Sequence, residues 1–335
     1  CLVGSEMCIR DRLLHVTGDL LGSVAALVAT IFYAYSPFVV NEFVAGHLPN
    51  LLAYSLLPWL VAVFWALART KKLIPYLPLA AFTVGLSAAQ IQYLIFDFIA
   101  MLICAAYTAR PWRSLALAVA VMALSLPSQV LALYHLLVVG PAAYKLVPAT
   151  FEWLQDLSVT PTHAIALGGY IAGYASQSYP PALSETVRLF TALILYGLIM
   201  AALLVVPRTE VLPPFGFLTV GLIGATGVLD PFRWLKTYIA EHVTAANVVR
   251  EYYNFESLMV LGLGLAIGLA VDRWRLASRP LLAYTLIIAS LVSPTAFLSG
   301  RFVGLLNQWS EPSDYRQFAA SLARAADGSR VALFP

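Results

Sequence analysis

The chain has 335 residues, 61% of them hydrophobic and only 11% charged, with a formal net charge of +3. Soluble domains carry roughly 25% charged residues, and a water-soluble fold of this size could not hide so much apolar surface. The small positive charge gives no reason to expect a nucleic-acid partner, and three cysteines support neither a disulfide framework nor a cysteine-based metal site.

Residues 1–12 read CLVGSEMCIRDR, with no initiator Met and no signal-peptide pattern. The string looks like the translated end of a sequencing adapter, a contaminant of metagenomic assemblies. Setting it aside leaves Cys104 as the informative cysteine. From there the chain alternates long uncharged runs with polar breaks, the runs covering 20–41, 43–68, 73–96, 114–144 and 189–207. A spanning helix needs about 20 mostly apolar residues, and a backbone inside a bilayer must satisfy its own hydrogen bonds. Helices do so locally. A transmembrane barrel would alternate in segments of about 10 residues, and these runs do not. The expected fold is all-α, a polytopic transmembrane helix bundle.

The first two expected spans cover 20–40 and 50–68. The connection between them, from Ser36-Pro37 to Pro49-Asn50, carries Asn41, Glu42 and His47. A carboxylate beside an imidazole can ligate a metal or move a proton. Two ligands are too few to define a metal site, and the plain alternative is a solvated hairpin. Pro58 predicts a kink in the second span.

The stretch 73–109 is divided by a polar notch at 87–92 into spans 73–89 and 91–109. Gln90 and Gln92 sit at the tip, where amides bind sugar hydroxyls or cap helix ends; capping is the simpler reading. Asp97 follows about five residues, or roughly 8 Å, along the helix from Gln92. An acid in a membrane costs about 2.5–3.5 kcal/mol at the centre, so it should face the bundle with a partner or a proton. A span at 114–138 with a kink at Pro127 comes next.

The long loop 140–188 holds a helix start at Ser158-Val159-Thr160-Pro161. Spans at 189–207 and 211–229 lead to a second long loop, 230–255. There Asp230-Pro231 is a good helix start. Phe232, Leu235, Ile239 and Val243 recur at helical spacing, with Arg233, Lys236 and Glu241 elsewhere around the helix. That reads as an amphipathic helix in the membrane interface or as a surface helix covering the bundle. The segment Arg250-Glu251-Tyr252-Tyr253-Asn254-Phe255-Glu256 precedes the next span. Arg250 is shaped to clamp a phosphate in two-pronged fashion, or is an interfacial anchor with Tyr252 and Tyr253 in the aromatic belt. Spans at 256–271 and 280–300 complete a set of nine. Gly262 and Gly264 lie inside the former and read as packing glycines. Beyond, 311–326 reads as a helix and 331–334 as a strand, opening an α/β unit.

Basic residues mark cytoplasmic loops. Arg69/Lys71/Lys72, Arg110/Arg113, Arg208 and Arg273/Arg275/Arg279 set nine basic residues against the acids Glu210 and Asp272. The intervening loops hold five basic residues against eight acids, Glu42, Glu251 and Glu256 among them. This asymmetry puts the four clusters inside and Glu42, His47 and Arg250 outside.

Three stretches carry a family resemblance. Residues 33–59 follow a Ser-Pro…Gly-His…Leu-Pro rhythm at Ser36-Pro37, Gly46-His47 and Leu57-Pro58. Residues 249–269 look like an "fRxPxkF" segment leading into a Gly-rich span, with the usual Pro replaced. Residues 314–335 are similar to the opening of an extracytoplasmic domain. The chain resembles the GT-C superfamily of polytopic lipid-linked glycosyltransferases, especially the YfhO-like and 6-pyruvoyl-tetrahydropterin synthase-related membrane proteins. The resemblance implies a domain layout of 13–300 as membrane bundle and 301–335 as the start of the outer α/β domain. It also implies an outer-face site in a bacterial or archaeal plasma membrane. There a sugar passes from a polyprenyl-phosphate donor to a lipid, glycan or protein. The family's catalytic acid usually follows the first span, ahead of the Ser-Pro…Gly-His stretch, so the fragment is expected to lack it. Glu42 and His47 then stand as candidates for catalysis or a divalent metal, and Arg250 for the donor phosphate. Asn41, Gln90, Gln92, Asp97 and Tyr252 are candidate substrate contacts. The competing readings are a transporter or lipid flippase, which predicts buried midplane charges and broken-helix repeats, and a non-catalytic envelope protein on the same scaffold.

Overall fold

The structure, a computed structural model, describes residues 20–44, 47–69, 75–134, 154–155, 158–167, 185–204, 208–229, 233–242, 251–276 and 280–292. Every regular element among them is helical. In chain order these are α1 (Leu20–Ala34), α2 (Pro37–Val44), α3 (Leu48–Arg69), α4 (Tyr76–Ser87), α5 (Tyr93–Ala106), α6 (Pro111–Leu124) and α7 (Leu126–Tyr134). They continue with α8 (Pro161–Ile165), α9 (Glu185–Leu203), α10 (Arg208–Ala225), α11 (Arg233–His242), α12 (Glu256–Leu276) and α13 (Pro280–Val292). Single 3-10 turns at Gly227–Leu229 and Tyr252–Phe255 precede α11 and α12. Arg250, the Asp230-Pro231 helix start, the helix expected at 311–326 and the strand expected at 331–334 lie outside the described residues.

Two helical stretches, Leu48–Arg69 and Tyr252–Trp274, are long and apolar enough to cross a membrane; the other apolar helices are shorter. They differ in how they are used. In α3 the buried residues Asn50, Ala53, Tyr54, Leu57, Leu60, Phe64 and Leu67 recur every three or four positions, so one stripe faces the bundle. In α12 burial runs all round the helix, from Leu258 through Trp274, as expected of a central helix. Outside, Leu52, Phe82, Val119, Leu193, Leu281 and Ile288 are exposed on five of the helices. A soluble monomer rarely presents so much large apolar surface, and membrane association accounts for it.

Small residues set how closely α12 is approached. A Cβ on Gly262 would lie 2.7 Å from the Pro214 carbonyl and 2.8 Å from the Leu218 nitrogen, so α10 backbone fills the space of a side chain. Gly264 and Gly268 face Ala25 and Ala29 of α1 at ordinary contact distance. This spacing is the membrane-helix pattern in which small residues let backbones meet, as the sequence suggests for Gly262 and Gly264. The fold thus has α12 wedged between α1 and α10.

A second join ties α1 to α3. Tyr33 donates its hydroxyl to the Tyr54 carbonyl at 2.7 Å, and Tyr54 donates to the Tyr33 carbonyl at 2.7 Å. Their rings stack 4.2 Å apart. Each buried hydroxyl, costly if unpaired, is satisfied by the other residue's backbone.

Three local expectations change. The connection between the first two spans contains a helix, α2. Pro37 is its first residue, where the missing N–H costs nothing, and Ser36 accepts a weak 3.5 Å bond from the Val39 N–H. The span expected at 114–138 breaks at Ser125: α6 ends there and α7 restarts with Pro127 as its second residue. Gln129 seals the break by donating to Ser125 Oγ at 2.6 Å and to the Met122 carbonyl at 3.0 Å. Proline at a helix start is harmless, so Pro127 marks a new helix. By contrast, α3 runs unbroken through Pro58. The notch at 87–92 does separate α4 from α5, and Thr160 caps α8 by accepting from the His163 N–H at 3.4 Å.

Candidate functional site

At one end of the bundle, polar residues from three distant segments meet. Glu42, on the last turn of α2, is 2% exposed. Its Oε2 accepts from Asn50 Nδ2 at 2.8 Å and pairs with His47 Nδ1 at 3.1 Å. Asn50 also donates to Asn254 Oδ1 at 3.2 Å. Asn254, fully buried, donates to Gln92 Oε1 at 2.9 Å and to Glu251 Oε2 at 3.0 Å. Gln92 closes the set by donating to the Glu251 carbonyl at 2.9 Å.

The direction of this chain is forced. Two acceptors cannot reverse: the Glu251 carbonyl and the Glu42 carboxylate. The first demands the NH2 end of Gln92, which leaves the Gln92 oxygen as acceptor for the NH2 end of Asn254. The Asn254 oxygen then faces Asn50, whose NH2 must also serve Glu42. All three amide orientations follow from hydrogen-bond logic.

Burying a carboxylate is expensive unless it is paired. Glu42 has two donors, and helix ends help. Asn50 is in the first turn of α3, Gln92 immediately precedes α5 and Asn254 lies two residues before α12. Three helix N-termini therefore converge here, each equivalent to about half a positive charge. From the same end α3, α5 and α12 run toward Arg69, Arg110 and Arg273 respectively, the basic clusters at their far ends.

His47 is the accessible member of the set, its side chain 37% exposed. The bond to Glu42 pushes the imidazole above its usual 6.5; burial pulls the other way, while the charges of Glu42 and Glu251 add to the rise. A raised value in the folded chain means the stabilisation is fully present below pH 6.5 and fades as pH climbs through the folded-state value. We expect wild-type melting temperature to fall over that window, and His47→Gln to abolish the slope while leaving the acid-side baseline lower. A pH series of thermal melts in detergent checks it.

The remaining candidates sort as follows. Asn41 is on α2 beside Glu42, and its side chain is outside the described residues. Gln92 is not a helix cap, contrary to the simpler reading: it makes no capping bond to α5 and spends both ends of its amide on the Glu251–Asn254 turn. Gln90 supplies backbone to the turn, its carbonyl accepting from the Tyr93 N–H at 2.9 Å. Asp97 faces the bundle interior, 1% exposed, and accepts from the Ser87 hydroxyl rather than from the Glu42 set. Tyr252 is partly buried against Leu154 and Val228, beside Gly227, whose φ of +52° suits glycine. Within the connection Glu42 is buried rather than solvated, while Leu48 and Pro49 are exposed.

Asn50, Glu251 and Asn254 are site residues that the sequence does not single out. The only local hint is that each stands just ahead of, or just inside, an apolar helix. For a divalent metal the fit fails. Glu42 and His47 bind each other, and among the described residues no group of three or more His, Cys, Asp or Glu is placed to hold an ion. Comparison with protein-family models, with curated proteins and with solved structures returns no match.

Proposed function

We propose that the chain is the membrane core of a GT-C-like glycosyltransferase. It would cross a bacterial or archaeal plasma membrane about nine times and carry an α/β domain from about residue 301. Transfer of a sugar from a polyprenyl phosphate would take place at the extracytoplasmic face. One observation carries this reading: the Glu42–His47 pair and the Glu251–Asn254 turn, both in loops that charge asymmetry assigns to the outside, join into a single polar cluster. Arg250 immediately precedes that turn in sequence.

In this reading His47 is the base. Glu42 holds the Nδ1 edge, leaving Nε2 to take the proton of an acceptor hydroxyl as its oxygen attacks the anomeric carbon. The bond from that carbon to the phosphate oxygen breaks, and its electron pair leaves with the lipid phosphate. Arg250 and the converging helix N-termini favour that departing anion. A positioned base contributes about 100- to 10,000-fold.

The test uses full-length protein in vesicles and a panel of tritiated polyprenyl-phosphate sugars. Glu42→Gln keeps size and an acceptor for Asn50. We expect transfer to fall by about 100-fold or more, with the melting temperature nearly unchanged at a pH above the folded-state value of His47, where the charge pairing no longer stabilises the fold, and Arg250→Ala to weaken donor binding. Undiminished transfer in Glu42→Gln would remove the proposed dyad. A parallel loss of stability and transfer would make the Glu42–His47 pair structural rather than catalytic, and no transfer by wild type with any donor would favour the non-catalytic envelope reading. Vectorial movement of unaltered lipid would favour the flippase.

A further inference from the structure

The helix α11, RWLKTYIAEH, is attached to the bundle by its charge rather than by its apolar face. Lys236 donates to the Ile223 carbonyl at 2.6 Å and to the Gly227 carbonyl at 2.9 Å. These carbonyls belong to the end of α10 and the turn after it, where a helix leaves acceptors unmet. At 100° per residue, positions two before and two after Lys236 lie about 160° around the helix. They are Trp234 and Tyr238, which are 67% and 57% exposed. Leu235, about 60° round the helix from Tyr238, is exposed as well. Of the apolar stripe expected from the sequence, Leu235 and Ile239 are exposed, while Phe232 and Val243 lie outside the described residues. This side of the helix does not cover the bundle.

What covers that side follows from its neighbours. Leu212, Phe215 and Ile223 line the exposed side of α10, a helix of apolar character from Leu212 to Ala225. Because the Ile223 carbonyl is one of the two anchors of Lys236, α11 crosses the end of that apolar stripe. The chain thus presents aliphatic side chains along α10 and then, at its end, Trp and Tyr beside the exposed Arg233. Indole and phenol rings sit where one side is apolar and the other wet, and membrane proteins concentrate them at the headgroup level.

We infer that α11 is an interfacial helix whose outer face, Trp234, Leu235 and Tyr238, is seated in the headgroup region of a phospholipid leaflet. Lys236 fixes its height relative to α10. The inference rests on the reading of the bundle as membrane-spanning, but not on any transferase activity.

The experiment reconstitutes the full chain in phosphatidylcholine vesicles brominated near the headgroup or near the chain ends. The emission of wild type minus that of Trp234→Phe isolates Trp234. At 67% exposure the replacement leaves packing intact. We expect headgroup-level bromine to quench this difference signal at least about twofold more than deep bromine, since interfacial helices insert only about 5–10 Å. Aqueous iodide should quench it weakly. Strong iodide quenching with no bromolipid effect on Trp234, while the remaining tryptophans still respond to deep bromine, would overturn the inference and leave the bundle in the membrane. No bromolipid effect on any tryptophan would overturn both. Shielding of Trp234 that disappears on dilution of protein into lipid would replace the leaflet with a second copy.

Discussion

Gly262→Ala is expected to destabilise the chain by more than about 3 kcal/mol, a large loss for one methyl group. The added Cβ would sit 2.7 Å from the Pro214 carbonyl and 2.8 Å from the Leu218 nitrogen. Both are backbone atoms of α10, so no rotamer change relieves the overlap; α10 and α12 must separate. Two other glycines serve as controls. Gly264, two residues on, would place its Cβ 3.5 Å from the Ala29 carbonyl, an ordinary contact, and a Cβ on Gly197 in α9 would meet nothing within 4 Å. Gly264→Ala should be nearly neutral. Gly197→Ala should gain up to about 1 kcal/mol from helix propensity. Thermal melts of the three variants in one detergent give the order. Equal stability of Gly262→Ala and Gly264→Ala would mean that the close approach of α10 to α12 is not real.

Asn254 supplies the second large effect. Its amide links Gln92 to Asn50, donating to the first and accepting from the second. Asn254→Ala removes three hydrogen bonds and strands the Gln92 oxygen in a buried position. Each net bond is worth about 1 kcal/mol and a stranded buried acceptor about 1–3, so a loss of about 4–6 kcal/mol is expected. Asn254→Asp should be worse despite its equal size. It keeps the acceptor that faces Asn50 but turns the two donors into an oxygen aimed at Gln92 Oε1 and Glu251 Oε2. Turning the Gln92 amide does not rescue it, because the Glu251 carbonyl would then meet an oxygen. Melting temperature and monodispersity in detergent check both variants; Asn254→Asp more stable than Asn254→Ala would show that the amides do not run in the direction described.

Much of the architecture is legible because it is local. Uncharged runs gave the helices, the notch at 87–92 gave the gap between α4 and α5, and Thr160-Pro161 gave a capped start. Pro127 shows how a correct signal misleads: proline in an apolar run reads as a kink, but Ser125 ahead of it permits a stop and restart. Ser36-Pro37 has the chemistry of a helix start and stands just as near an apolar run, which is why α2 was absorbed into a connection. The site was harder. Glu42 and His47 are five residues apart, so their pairing is visible in sequence. Asn50 and Asn254 are 204 positions apart, and Gln92 and Asn254 are 162. No periodicity or composition links positions so remote, and an amide before a helix has a cheaper local explanation as a cap. In α11 the helical spacing of Leu235 and Ile239 is legible, but the outward placing of Trp234 and Tyr238 follows only from the Lys236 bonds.

The long reach of Asn254 has a consequence for biosynthesis. While the ribosome is still making the middle of the protein, Asn50 and Gln92 have already been inserted, and the residue that completes their bonding has yet to be translated. Until the turn before α12 arrives, Asn50 and Gln92 lack the partner that joins them. The site is therefore a late product of synthesis, complete only once that turn has been made.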